Sequence, residues 1–212
     1  MITPYGYGSI RKVFLVCLLL DGFSMLFPDG PKMVMMLLST MMLAFTFWFF
    51  RDPERSSPEG DDHILAPADG RVILVRSCDN SYTGDGSTLV SIFMSPFNVH
   101  VNRIPLSGRV TLLRYHPGRF LMAFDKRSLE SNEKMEIGID NGRAKVLFSQ
   151  VSGFLARRIV CNLEEGQRVK TGSRFGMIRF GSRVDIILPP QATPAVREGQ
   201  KTRAGETVLA RL

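Results

Sequence analysis

Few residues of this chain can do acid–base chemistry at neutral pH. There are three histidines, His63, His100 and His116. His100 lies within FMSPFNVHVNRIPLSG, residues 93–108, between Val99 and Val101. In an extended strand its side chain would lie on the face opposite to both valines. Strand alternation alone favours a structural role for His100, with one hydrogen-bond partner. His63 and His116 are expected at the surface.

A serine provides the second candidate. The chain has four Gly-Ser dipeptides, and such pairs are usually turns. Gly181-Ser182 differs because it joins two apolar runs, FGMIRF and VDIILP. A serine in such a packed junction can act as a nucleophile if a base activates its hydroxyl. The alternative is a tight hairpin without chemistry.

The elements that position these residues are predicted to be strands. Beyond residue 62, β-branched or alternating runs recur roughly every ten residues with Gly, Asn or Asp between them, a spacing typical of a sandwich or barrel. The runs are Arg71–Arg76, Thr88–Met94, Val99–Ile104, Arg109–Tyr115, Lys134–Asp140, Ala144–Val151, Arg157–Cys161, Met177–Phe180, Val184–Leu188 and Thr207–Arg211. Only Phe120–Leu129 suggests a helix. We expect a mainly β, barrel-sandwich-like domain over residues 63–212.

Three segments with glycine-containing turns resemble the flattened sandwiches of biotin- and lipoyl-carrier domains. They are ILAPADGRVILV (64–75), VKTGSRFGMIRFG (169–181) and VREGQKTRAGETVLARL (196–212). A carrier needs a lysine at a hairpin tip, and none of the three has one at its central turn. The pattern therefore supports the fold and not the carrier function.

The first 50 residues are different in kind. Val13–Phe27 is an apolar run interrupted by Asp21, and Met33–Phe50 is a run of 18 residues without a charge. As a helix the second would span about 27 Å, close to the ~30 Å of a bilayer core. Pro28-Asp29-Gly30-Pro31 between them is a turn signal. We predict a membrane-anchoring helical hairpin over residues 1–50, followed by a linker over 51–62.

The charge distribution indicates an orientation and a partner. The net charge is +7, and residues 1–50 contribute only +1, from three basic and two acidic side chains. Arg11 and Lys12 precede the first apolar run, and Arg51 and Arg55 follow the second, which predicts that both ends face the cytoplasm. The basic remainder of the chain is then expected to face anionic lipid. Nucleic acid is the less favoured partner, because nothing besides the charge supports it. Cys17, Cys78 and Cys161 have no metal-ligand spacing, so no metal is expected.

Several motifs occur in a specific order in the rest of the chain. They are FRDPER (50–55), APADG (66–70), FMSPFNVHVNRIPLSG (93–108), YHPGRF (115–120) with ESNEK (130–134), and FGMIRFGSRVDIILP (175–189). Together they resemble the phosphatidylserine decarboxylase family in its short bacterial and archaeal form. The resemblance covers roughly residues 48–212.

The resemblance implies a cofactor made from the chain itself. In that family the serine attacks the preceding carbonyl, elimination breaks the resulting ester, and the former serine becomes a covalent pyruvoyl group. Here the cut would fall between Gly181 and Ser182 and give a large chain, 1–181, and a small chain, 182–212, that stay together. The pyruvoyl carbonyl would form a Schiff base with phosphatidylserine of the inner (plasma) membrane, and loss of carbon dioxide would yield phosphatidylethanolamine for phospholipid biosynthesis.

The resemblance also implies roles for three residues. Ser182 becomes the pyruvoyl group, His100 supplies the acid that protonates the product carbanion, and Asp69 of APADG is an acid/base or orienting group. The longer members carry a second histidine three residues after the first, in an Asp-His-Ser relay. Here Arg103 takes that place, and Asn98 stands where an acidic residue is expected. The base for self-cleavage therefore stays open: either His100 serves both reactions, or backbone strain and Asp69 suffice.

Five arginines near these motifs are candidates for contacts to an anionic lipid, either as substrate ligands or as a basic face over the membrane. They are Arg103, Arg157, Arg158, Arg179 and Arg183. Two other functions stay open: a non-enzymatic, membrane-anchored β-sandwich adaptor of a transport assembly, and a pyruvoyl decarboxylase of a soluble amine, which the anchor disfavours. The oligomeric state, a homo-oligomer included, is open as well.

Overall fold

A computed structural model describes residues 1–60, 62–119, 121, 131–153, 158–179 and 182–212. The chain divides into two compact units, Met1–Glu54 and Arg55–Leu212. The first is helical and the second is built from strands, so the predicted fold class is confirmed. The predicted helix over Phe120–Leu129 lies outside the described residues apart from Leu121.

The first unit is a helical hairpin. A short 3-10 helix, Pro4–Gly6, leads into α1 (Tyr7–Ser24), and α2 (Asp29–Phe49) follows after four residues. The helices pack against each other: the Ser39 hydroxyl donates to Asp21 Oδ2 at 3.1 Å, and Cys17 Sγ lies 3.6 Å from the Ser39 carbonyl oxygen. Asp21, which interrupts the first apolar run, is thus bonded within the hairpin.

The hairpin has polar side chains inside and apolar ones outside. Ser24 and Ser39 are buried, whereas Leu19 and Leu26 are 73% and 78% exposed. Among the described residues, α2 is the one helix long and apolar enough to cross a membrane. The predicted turn at residues 28–31 is partly wrong, because α2 already begins at Asp29. Pro31 fits in its first turn, where N–H groups have no intrahelical partner.

The second unit contains fourteen strands within the described residues. They are β1 (His63–Leu65), β2 (Gly70–Asn80), β3 (Gly84–Met94), β4 (Val101–Arg103), β5 (Gly108–His116), β6 (Lys134–Asp140), β7 (Lys145–Val151), β8 (Ile159–Cys161), β9 (Arg168–Val169), β10 (Arg174–Ile178), β11 (Ser182–Leu188), β12 (Thr193–Pro194), β13 (Lys201–Thr202) and β14 (Val208–Arg211). Each predicted run overlaps one of them. The strands that the sequence did not predict, β1, β9, β12 and β13, have two or three residues each, too few for alternation to show.

The strands form three antiparallel sheets. The largest has the order β13-β2-β3-β11-β7-β6-β5-β9, and the smaller ones have the orders β4-β10-β8 and β1-β14-β12. Val90, Ile186, Phe148 and Ile137 stand in one row across β3, β11, β7 and β6, and all four are fully buried. This row faces the core, and β11 lies at the centre of the large sheet.

Candidate active site

Ser182 is the first residue of β11. It is fully buried, and its Cα lies opposite that of Met94 at the end of β3. Its hydroxyl donates to Met94 Sδ at 3.4 Å. Because a thioether is a weak acceptor, this contact positions the hydroxyl without engaging it strongly. Gly181, the other half of the predicted cleavage site, lies outside the described residues.

A buried polar array that the sequence did not predict continues from Met94. Asn102 Nδ2 contacts the same sulfur at 3.8 Å and the Pro67 carbonyl oxygen at 3.5 Å. Gln150 Nε2 donates to Asn102 Oδ1 at 2.9 Å and to the Val160 carbonyl at 3.2 Å. Gln150 Oε1 is buried and accepts no hydrogen bond from the described part of the chain. Ser182 therefore shares the Met94 sulfur with the Asn102 amide of β4, which is in turn bonded to Gln150 of β7.

His100 is fully buried immediately before β4. Its Nδ1 lies 3.0 Å from the Asn98 carbonyl oxygen, which can only accept, so a neutral ring carries its proton on Nδ1 and has an acceptor at Nε2. The Asn98 side chain in turn accepts from the Ser95 amide at 2.9 Å and the Ser95 hydroxyl at 2.8 Å. The ring orientation is thus set by a turn that is held by its own hydrogen bonds.

The fold brings His100 and Ser182 to the same end of the second unit. The Ile178 amide donates to the His100 carbonyl oxygen at 3.4 Å, and Ile178 ends the strand that precedes β11. Ser182 follows four residues later, a reach of at most about 14 Å. Asn102, two residues after His100, shares the Met94 contact with Ser182. Both residues therefore lie at this end of the unit, near the junction of β10 and β11.

Asp69 lies in the connection between β1 and β2, and both of its carboxylate oxygens are engaged. Arg55 binds them in a bidentate pair, with Nη1–Oδ1 at 2.6 Å and Nη2–Oδ2 at 2.8 Å, and the Ala204 amide donates to Oδ1 at 2.8 Å. Arg55 Nη1 also donates to the Ala204 carbonyl at 2.9 Å. Of the two predicted roles for Asp69, these bonds support the orienting one.

Two of the five candidate arginines serve the fold. Arg103 is buried and its Nη1 donates to the Gly172 carbonyl at 3.0 Å, and Arg183 is buried with its Nε donating to Asp185 Oδ1 at 2.8 Å. Burial and the neighbouring Arg158 lower the pKa of Arg179 below its ordinary value. Arg157 lies outside the described residues.

The other two histidines lie next to carboxylates. His116 Nε2 is 2.7 Å from Glu136 Oε2, and Lys134 Nζ is 2.7 Å from Glu136 Oε1. Burial raises the pKa of Glu136, but the hydrogen bonds from Lys134 and His116 outweigh it and hold that pKa below its ordinary value. His63 lies 3.6 Å from Asp62.

A cleft of about 540 Å³ opens beside the predicted site. Its wall includes Asp69 and Asn98, the residues bonded to Arg55 and His100, and also the basic residues Arg71, Lys201 and Arg203. A larger cleft of about 750 Å³, lined by Arg143 and Lys170 among others, contains none of the predicted site residues. The smaller cleft is therefore the candidate substrate site, and no composition or motif signal pointed to its three cations.

Comparisons with known proteins agree with the motifs. The sequence model of the family described as phosphatidylserine decarboxylase matches residues 42–210. A protein of Pelodictyon phaeoclathratiforme named phosphatidylserine decarboxylase proenzyme is 61% identical over 211 residues, covering 100% of both chains. Proteins with the same name are 59% identical in Chlorobium limicola, again over 100% of both chains, and 53% identical in Chlorobaculum tepidum, over 98% of this chain and 96% of the relative.

Proposed function

The chain belongs to the phosphatidylserine decarboxylase family, and we propose that it converts phosphatidylserine to phosphatidylethanolamine after cutting itself between Gly181 and Ser182. The observation that carries the proposal is the position of Ser182, which is buried at the head of a central strand with its hydroxyl on a weak acceptor. A serine that served only a turn would be placed with its hydroxyl toward solvent or a local backbone group.

The residues present fit a pyruvoyl group at position 182. The group is made from Ser182 itself, and the buried amide of Asn102, which shares the Met94 sulfur with Ser182, provides a polar group nearby. A pyruvoyl group would supply a carbonyl for a Schiff base with the substrate amine, and with it the electron sink that decarboxylation requires.

The protein's own residues supply position and protons. Burial of Ser182 and His100 excludes water from the junction. With Nδ1 directed at the Asn98 carbonyl, His100 Nε2 is the ring atom that accepts a proton and returns it. The Asp69–Arg55 pair fixes the start of β2 to residue 204 of the C-terminal segment.

The helical hairpin supports a location at the membrane. Its apolar exterior is the reverse of what a water-exposed hairpin would show, and α2 has 21 residues, enough to span a bilayer core. We place the β unit at the cytoplasmic face of the inner membrane, beside a substrate that resides in the bilayer, on the basis of the flanking basic residues.

Mass spectrometry under denaturing conditions tests the proposal. The protein should give two chains, 1–181 and 182–212, with the small one lighter than the corresponding peptide by one ammonia. Ser182→Ala should remain one inactive chain, and His100→Ala should lose self-cleavage or turnover of phosphatidylserine. An intact wild-type chain would instead support the non-enzymatic adaptor, and normal rates for His100→Ala in both reactions would make that residue structural.

A further inference from the structure

Two cations face each other across the edge of the large sheet. Arg71 of β2 and Lys201 of β13 are directly opposed in the antiparallel register, so their side chains share one face. Like charges in this arrangement destabilise a strand pair. Both side chains are exposed, and in the described part of the chain neither forms an ion pair with a carboxylate. An anion bound between Arg71 and Lys201 would explain why two cations stand opposite each other.

The cleft they line has an excess of positive charge. Arg203 is its third cation, with a carboxylate of Glu206 at 3.8 Å on an exposed surface. The one acidic residue of the wall, Asp69, is already bound by Arg55. Its charge is therefore compensated from outside the cleft. Lys201 and Arg71, whose Nη1 donates to the Gly199 carbonyl at 3.2 Å, line the cleft without a carboxylate partner in the described part of the chain.

The cleft is close to the reacting position. Arg71, Phe93 and Arg183 form one row across β2, β3 and β11, two strand spacings or about 10 Å wide. Arg183 directly follows Ser182. On the same wall, Asn98 holds the ring of His100 through its carbonyl oxygen. Because successive strand residues point to opposite faces, the Ser182 side chain lies on the face opposite to Arg71 and Arg183. Ser182 begins β11, so a molecule bound by Arg71 and Lys201 would bring its far end to Ser182 around the end of that strand.

An exposed aromatic side chain lies at the edge of this cleft. Phe97 is 70% exposed and sits in the turn between Ser95 and Asn98, both of which line the cleft. Of the large hydrophobic residues described in the β unit, only Phe97 and Tyr115 are exposed. Cations next to an apolar side chain match a ligand with an anionic group attached to an acyl-bearing glycerol.

We propose that Arg71, Lys201 and Arg203 bind the phosphodiester of the aminophospholipid substrate, with Phe97 contacting its apolar part. This inference rests on the proposed function. The phosphodiester is the fitting anion because its charge is unchanged by the reaction. A cation paired with the carboxylate would stabilise the ground state of the group that must leave. Binding to phosphate is equal in ground and transition states, so its loss raises KM and leaves kcat nearly unchanged.

The first experiment compares two double variants. Arg71→Gln with Lys201→Gln removes the opposed cations, and Arg143→Gln with Lys170→Gln removes two exposed cations from the larger cleft as a control of equal charge. Decarboxylation is measured with phosphatidylserine in neutral detergent micelles, after the mass of the small chain has confirmed self-cleavage. We expect the first variant to raise KM about tenfold or more with kcat within about twofold, and the control to match wild type.

Equal KM values for the two double variants would overturn the proposal, and so would a fall in kcat alone. Self-cleavage precedes substrate binding, so a loss of self-cleavage in the Arg71→Gln, Lys201→Gln variant would indicate a folding defect. In that case the single variant Lys201→Gln, on the short edge strand β13, is compared with the control variant in the same way. Absence of decarboxylation by a correctly cleaved wild type would contradict the proposed function instead.

A second experiment separates a lipid from a free phosphate. Inorganic phosphate should inhibit wild type competitively and should inhibit the Arg71→Gln, Lys201→Gln variant much less. Phe97→Ala should raise KM for phosphatidylserine in vesicles and leave KM for soluble glycerophosphoserine unchanged. Equal inhibition of both proteins by phosphate would refute the site, and a Phe97→Ala effect of the same size on both substrates would refute the apolar contact.

Discussion

Asp69 and Arg55 show how a residue recognised by its motif can have a structural task. Their charged groups are almost enclosed, with side-chain exposures of 11% and 7%. The pair also reaches the backbone of Ala204 from both sides, through the Ala204 amide and carbonyl. The connection before β2 and the C-terminal segment are thereby fixed to one guanidinium–carboxylate pair.

Asp69→Asn is expected to destabilise the protein strongly. The substitution leaves the buried Arg55 charge without its counter-ion, which costs about 3 kcal/mol of unfolding free energy. Denaturant unfolding should be measured in a Ser182→Ala background, so that a single uncut chain unfolds. Asp85→Asn, at an exposed carboxylate near the start of β3, is the control and should change stability by less than about 0.5 kcal/mol. Equal unfolding free energies for the Asp69→Asn and Asp85→Asn variants would show that the Asp69–Arg55 pair contributes nothing to stability.

The sequence identified single residues better than their partners. Motifs single out Ser182 and His100, and both residues are buried. Asn102 and Gln150 were missed, because their contact joins β4 to β7 and depends on how separate sheets meet. Arg183 was a candidate for lipid contacts and is buried, whereas Arg71 was not a candidate and lines the cleft, because only the three-dimensional position shows which arginine is covered.

The central strand β11 determines how the two halves of a cut precursor stay together. It pairs with β3 over seven residues, Ser182 to Leu188, and with β7 over five, Arg183 to Ile187. The same segment, 182–212, contributes β13 to the edge of the large sheet and β12 and β14 to a small one. A cut before Ser182, as proposed, would therefore remove one covalent link from a strand that stays paired on both sides.

The small chain should remain bound after self-cleavage until the β unit unfolds. Hydrogen bonds on both sides of β11 and the buried Val184, Ile186 and Leu188 hold it. Size-exclusion chromatography in mild detergent should show both chains in one peak, and denaturant should release the small chain at the unfolding midpoint. Release of the small chain at denaturant concentrations that leave the remaining strands folded would contradict this expectation.

Strand length decides how much of the architecture was predictable. Runs of seven to eleven residues such as β2, β3, β6 and β11 show alternation or β-branched enrichment and were found. The two-residue strands β9, β12 and β13 exist only because a longer neighbour offers an unpaired edge. Their formation is a property of the assembled sheet, and no local signal precedes it.

At the scale of the whole molecule, the two units place their apolar side chains in opposite ways. The hairpin directs Leu and Met outward and keeps Ser24, Ser39 and the bonded Asp21 between its helices. The β unit directs its apolar rows inward and carries most of the excess positive charge, six of the seven net charges lying beyond residue 50. The uneven composition already indicated this division.

Charges placed in α2 should detach the protein from lipid. Leu37→Asp with Leu38→Asp inserts two carboxylates into the middle of α2 at exposed positions, at a cost of about 2.5–3.5 kcal/mol each in a bilayer core. Flotation with vesicles should fall sharply while self-cleavage persists. Ser56→Asp with Ser81→Asp, at exposed positions of the β unit, is the matched control and should float as wild type does. Unchanged flotation of the α2 variant would exclude a spanning role for that helix.

The central place of β11 also bears on when the proposed pyruvoyl carbonyl would arise. Both neighbours of this strand, β3 and β7, precede it in the chain, so they are synthesised before it. Ser182 can take its buried position only after β11 has inserted between these two earlier strands. An electrophile capable of reacting with cellular amines would therefore form only after translation has passed β11. The topology thus places synthesis of the neighbouring strands before formation of the cofactor.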